Sequence, residues 1–167
     1  MAKVKVELKE LSRLNRNLGI LSKDAVKVAK FSLYDGATIA ADELRTSVAG
    51  LSRVSDVAAI GAWKKGVPSL ICVSQKNGLL NGLGVSKMKN QGASINLKVG
   101  FDGYNSIRTR RWPNGQPNIM IAASCEHGSS AMLEQPFIRA AYRRCAAQVR
   151  AKMEETAGQQ ISEILDK

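Results

Sequence analysis

The sequence predicts an α+β fold: a small curved sheet, mixed or antiparallel, packed by one long central helix and a C-terminal helix, with extended basic loops. Three observations predict it. An apolar stripe at helical steps runs through Val26, Ala29, Leu33, Ala37, Ala40, Leu44 and Val48. A second stripe, Ile138, Ala141, Tyr142, Cys145, Val149 and Met153, follows Pro136. Between them the period changes to two: over 94–101, Ile95, Leu97, Val99 and Phe101 alternate with polar residues or glycine. A chain of 167 residues buries roughly 68–70% of its extended surface, enough for one domain with a real core.

The first 19 residues read as a strand and a short helix. Val4, Val6 and Leu8 alternate with Lys3, Lys5 and Glu7, as in a lysine-faced edge strand. Leu8, Leu11, Leu14 and Leu18 then fall at helical steps, and Gly19 is the expected stop. The long helix follows over 22–49, with Ser22 as N-cap, Asp24 in the first turn and Gly50 at its end. Gly36 has two readings: a weak point, costing about 1 kcal/mol relative to alanine, or a site of close packing.

Residues 50–93 form a basic insert of loops. A helical turn is expected over 54–62. Trp63, followed by Lys64, Lys65 and Gly66, reads either as an exposed corner that meets a partner or as a ring packed over the core edge. The run 70–73 fits a strand and a buried helical turn equally, since four residues are too few for periodicity to arbitrate. Asn77 and Gly78 signal a turn in the glycine-rich stretch 75–88, which Lys87 and Lys89 extend. Between Leu51 and Gly100 there are seven basic residues and one acidic, Asp56, so most of the chain's net charge of +11 lies there.

A core hairpin is expected over 94–124, pairing the strand 94–101 with an apolar strand at 119–123. The long loop 105–118 between them carries Arg108, Arg110, Arg111 and Trp112. A polar loop over 126–130 then leads to the helix 136–165, where Pro136 suits a first turn because its missing N–H has no partner to lose. This strand, loop and helix at the C-terminal end is the unit around which the rest is arranged.

Composition narrows the chemistry. A charge of +11 fits contact with nucleic acid, an acidic partner surface, the lining of a passage for nucleic acid, or a solvated basic face. Cys72, Cys125 and Cys145 lack metal-ligand spacing and sit in apolar surroundings, as buried free thiols do. No apolar run approaches the ~20 residues of a membrane span, and the first residues do not read as a signal peptide. Synthesis in a reducing cytoplasm and no membrane partner are expected.

His127 is the only histidine, next to Glu126 and near Cys125 and Ser129. A nucleophile and base must converge in space, which neighbours on one loop rarely do. No carboxylate pair has acid–base spacing. Gly78, Gly82 and Gly84 lack the form of a phosphate-binding loop. No catalytic activity, metal or cofactor is expected. Arg108, Arg110 and Arg111 beside Trp112 resemble the basic, aromatic loops of nucleic-acid binders, at the level of phosphate contact without base reading. Acidic groups on a neighbouring subunit are the better match for the same arginines. Glu126 also has two readings: an ion pair across a subunit boundary, or a cap on nearby backbone.

The segments EHGSS at 126–130 and QPFIRAA at 135–141 are similar to the tail-completion, or head–tail connector, proteins of long-tailed double-stranded DNA phages. That family has an acidic residue, an aromatic or histidine, glycine and a hydroxyl residue, then Pro-Phe-(Leu/Ile)-Arg-Pro-Ala opening the last helix. Glu126, His127, Gly128 and Ser129 match the first pattern; Pro136, Phe137, Ile138, Arg139 and Ala141 match the second, with Ala140 in place of the usual proline. Residues 76–84 resemble the family's turn before its first core hairpin, with Gly82 for serine and extra chain between Gly50 and Ser74.

The resemblance implies a ring former, commonly of six copies, in the phage neck or tail top, with DNA passing through. It implies other neck, connector or tail-tube proteins as partners and the virion as location. Glu126, His127, Gly128, Ser129, Pro136, Phe137 and Arg139 would then serve the subunit interface or its supporting loop. Lys64, Lys65, Lys87, Lys89, Arg108, Arg110, Arg111 and Trp112 would face the lumen or a partner. The alternative is a basic nucleic-acid-binding protein; a small regulatory or toxin-like protein is a third reading.

Overall fold

Helix α1, Leu8–Gly50, dominates the molecule: 43 residues, or about 65 Å at 1.5 Å per residue. A computed structural model of the chain describes residues 8–90 and 94–166. The expected strand over 3–8 falls, up to residue 7, outside the described residues, and Leu8 opens α1. Gly19 does not stop the helix, and Ser22 lies within it rather than capping a second one. One glycine among good helix formers costs about 1 kcal/mol, too little to break a long helix.

After α1 come β1 (Arg53–Val54), α2 (Asp56–Lys64), β2 (Ile71–Cys72), α3 (Val73–Gly82) and β3 (Leu83–Val85). Then follow β4 (Lys89–Asn90), β5 (Ile95–Asn96), β6 (Val99–Phe101), α4 (Asn118–His127) and α5 (Ile138–Leu165). The fold is α+β, with small open sheets and the long α1 packed against α5. The two helices run antiparallel. The Thr156 hydroxyl donates to Asp35 at 2.7 Å, and Arg144 Nε meets Glu43 at 2.6 Å. Gly36 lets them close in: a Cβ there would lie 2.7 Å from Met153 Cγ. Of its two readings, close packing holds.

The strands are short. β1 and β2 pair in parallel. β3 pairs with β6 and β4 with β5, both antiparallel. Between Val85↔Val99 and Lys89↔Asn96, three residues on one strand face two on the other. That extra residue is a bulge, and it divides the ribbon 83–101 in two. The expected strand over 94–101 is therefore broken, and its partner precedes it in sequence. The expected partner at 119–123 is instead the first half of α4.

The turn expected at Asn77–Gly78 is likewise helix, within α3. Backbone crowding accounts for both departures. Gly82 sits against the Asp102 carbonyl, where any Cβ would clash. Asn118, fully buried, donates from Nδ2 to the same carbonyl at 2.7 Å. Glycines that read as turn signals serve close contact between α3, the following loop and α4.

The core lies at the C-terminal end of α1. Val48, Leu51, Ile71, Leu79, Leu83, Phe101, Ile121, Cys125, Met132 and Phe137 form it. Phe101 and Phe137 meet edge to face, with ring centroids 5.8 Å apart. Toward the other end, α1 and α5 continue as a two-helix arm that closes in where Gly36 meets Val149 and Met153.

Candidate functional site

The loop between α4 and α5 is built on Glu126. This residue ends the buried face of α4, with Ile121, Ala122 and Cys125, and is itself only 3% exposed. Its carboxylate accepts from the backbone N–H groups of Phe137 at 2.8 Å, Ile138 at 2.7 Å and Arg139 at 3.0 Å. These are donors at the start of α5 that have no partner within the helix. The Arg139 side chain adds Nε to Glu126 Oε1 at 2.9 Å and reaches Glu134 at 3.2 Å. Of the two readings of Glu126, backbone capping is what the fold contains, and the basic partner lies in the same chain.

Burial pushes the Glu126 carboxyl up. The N–H groups of Ile138, Arg139 and Phe137 and the Arg139 guanidinium outweigh it and hold the carboxyl below the usual glutamate range. A negative charge at the start of a helix also complements the helix dipole.

The neighbours shape the loop. Gly128 turns the chain at φ +71°, in the region glycine favours. Ser129 Oγ accepts from Met132 N at 3.1 Å, which tightens the next turn. His127 and Pro136 are exposed, while Phe137 is buried in the core. Gln135 ties the loop to the rest: its N–H donates to the Cys125 carbonyl at 2.7 Å, and Nε2 to the Ser52 carbonyl at 3.1 Å. The first residue of α5 is Ile138, two positions after the expected Pro136.

A second buried charge closes the other helix at this end. Lys76, 8% exposed, donates from Nζ to the carbonyls of Ala49 at 2.6 Å and Leu51 at 2.8 Å. Burial, then the nearby Arg53, pushes its ammonium pKa down. A cation at the C-terminus of α1 and an anion at the N-terminus of α5 thus close the two helices of the hairpin where they enter the core. From the sequence Lys76 is one of seven basic residues in the middle of the chain and the first residue of the turn-like segment 76–84. Its offset of three to four positions from Leu79 and Leu80 on a helix is the signal that placed it inward, and it was hidden by the turn reading of Asn77–Gly78.

The basic candidates lie on separate elements. Lys64 ends α2 and Lys65 follows it; both are exposed. Lys87 and Lys89 are exposed on the bulged ribbon, beside the middle of α1, where Met88 N donates to the Tyr34 hydroxyl at 3.3 Å. Arg108, Arg110 and Arg111 are exposed on the loop 102–117. The base of that loop is pinned: Asn105 Oδ1 accepts from Ile107 N at 2.9 Å and Gln116 N at 3.3 Å. Trp112 is half-buried, and the Arg111 guanidinium stands 5.4 Å from its ring centroid. One face of that ring is thus already covered. Trp63 is 68% exposed, so it does not pack over the core edge; it is an exposed corner.

All three cysteines are buried and free. Burial pushes the thiols of Cys72 and Cys125 up to about 11, which makes them poor nucleophiles at neutral pH. Among the described residues no group of three or more His, Cys, Asp and Glu side chains is placed to hold a metal ion. No helix among them is long and apolar enough to cross a membrane. Set against known protein families, curated proteins and solved structures, the chain matches none.

Proposed function

We propose that this chain is a structural assembly subunit: a tail-completion or head–tail joining component that forms a ring in the neck or tail top of a long-tailed phage. It would carry no catalytic site and no cofactor, be made in the host cytoplasm and end in the virion. DNA passes through the ring. The contacts are with further copies, six in the commonest arrangement, and with other neck, connector or tail-tube proteins. No membrane is involved.

One observation carries the reading. The two short motifs that resemble the connector family, EHGSS and QPFIRAA, meet as a single device: Glu126 of the first takes the free N–H groups of the helix that the second begins. A rigid join between core and C-terminal helix suits a subunit that transmits load between neighbours. The exposed Lys87, Lys89, Arg108, Arg110 and Arg111 then supply a positive field for the lumen or a docking ring.

Negative-stain imaging of the concentrated protein, with a duplex-DNA titration at about 50 and 200 mM salt, tests this. The connector reading expects closed rings and weak, non-specific DNA binding. The alternative, a nucleic-acid-binding protein, is favoured by the exposed arginines on a pinned loop. It expects a small oligomer whose tight duplex binding falls steeply with salt and is abolished by R108S/R110S/R111S.

A further inference from the structure

We propose that α2 of one copy docks into the groove between α1 and α5 of the next, as a knob in a slot. The inference rests on the ring reading above and supplies its junction.

The knob is α2. None of its residues is buried; Val57 is 81% and Trp63 68% exposed, Ile60 is exposed, and so is Val67 just after the helix. A helix with so apolar a composition and no buried residue is unusual for a finished surface. It is nonetheless held firmly. Ser55 Oγ caps it by accepting from Ala58 N at 3.2 Å. The Asp56 carboxylate accepts from Ser74 N at 3.0 Å and Ser74 Oγ at 2.6 Å. β1 and β2 pair on either side of it. The apolar face is therefore presented in a fixed orientation, which lowers the ordering cost of docking.

The slot is a groove of about 840 Å³ along the two-helix arm. Ala25, Ala29, Ala146, Val149, Met153 and Ala157 line it. Its small side chains leave room for another helix to approach closely. The α1 wall from Ala25 to Ala40 is about 22 Å long, and the nine residues of α2 span about 14 Å. The knob fits within the slot.

The two cannot meet in one molecule. α2 begins just past the end of α1 at Gly50, and the groove is centred some 20 residues back along the same helix, about 30 Å away. The residues between Gly50 and α2 are fixed by the β1–β2 pairing. The occupant argued for is a second copy. Charge agrees: Lys64 and Lys65 stand exposed at the end of the knob, and Glu154 lines the slot without an ion pair among the described residues. Arg150, also in the lining, offers its guanidinium to an indole such as that of Trp63. At 100° per residue, Lys23, Lys27 and Lys30 fall on the side of α1 opposite Ala25 and Ala29. Knob and slot are different surfaces, so the junction is head-to-tail and repeats from copy to copy until it closes.

The test uses the full chain in sedimentation velocity: wild type, V57D/W63D, A25R/A157R, and the two variants mixed in equal amounts. Thermal unfolding shows that each variant folds. The expected result is an assembled wild type, each variant monomeric with association weakened about tenfold or more, and a mixture that stops at a heterodimer, since it holds one intact knob and one intact slot. If the slot variant fails to fold, E154K and K64E/K65E replace it: each weakens association and the combined triple variant restores it. Variants that assemble like wild type, or a mixture that stays monomeric while wild type assembles, overturn the knob and slot and leave the ring standing. A wild type that is monomeric at every concentration overturns both.

Discussion

Glu126 joins α4 to the start of α5 through more hydrogen bonds than any other side chain at the C-terminal loop. A buried carboxylate that holds three backbone N–H groups and a guanidinium does the work of a helix cap and a charged hydrogen-bond hub together. E126A should therefore destabilise the fold by about 2–4 kcal/mol, beyond an ordinary cap; urea unfolding measures it. Because the folded pKa lies below the ordinary value of 4.5, the stabilisation is full above that value and is lost as pH falls through the lower folded one. The stability gap between wild type and E126Q should thus narrow in acid. A gap that is unchanged down to about pH 3 contradicts the role given to the charge. At the same scale, Cys72 and Cys125 should resist alkylation at pH 7 in the folded chain and react once urea unfolds it. Prompt labelling of the native protein contradicts their burial.

At the scale of elements, the two helix ends that meet at the core should behave as a pair. K76M keeps the shape but leaves the carbonyls of Ala49 and Leu51 without a donor, and should cost about 1–3 kcal/mol. Gly36 holds the α1–α5 crossing. G36L must push Met153 and Val149 aside and should cost about 1–3 kcal/mol, read as a lowered melting temperature. Much of this level was legible from the sequence. Ala37, Val48, Ala141 and Cys145, from the two apolar stripes, are buried in the structure, whereas Val26 and Tyr142 of the same stripes are exposed. The misreadings have physical causes. The run 119–123 is uniformly apolar, so period two and period 3.6 both fit it, and only its place under α3 makes it helical. Asn77–Gly78 is a turn signal by local preference, overridden because Gly78 and Gly82 must let Asn105, Asn118 and the Asp102 carbonyl come close. Gly19 is a helix stop only where tertiary contacts require one. In the candidate site, the residue types around Glu126 were visible, but the choice between an outside partner and an inside cap depends on a fold-back of the chain that spacing does not encode.

For the whole molecule, the architecture is a packed core at one end and a two-helix arm at the other, with an uncovered apolar helix near the first and an uncovered apolar groove on the second. Among the described residues nothing covers either surface, and about 30 Å of helix separates them. The proposed head-to-tail junction would cover both at once. The direct test is native mass spectrometry of the purified wild-type protein over a wide range of concentration. A ring-forming subunit should give a single closed species with a fixed whole number of copies, growing at the expense of monomer without intermediate ladders. A monomer that persists to the highest concentration, or an open-ended ladder with no preferred size, contradicts it.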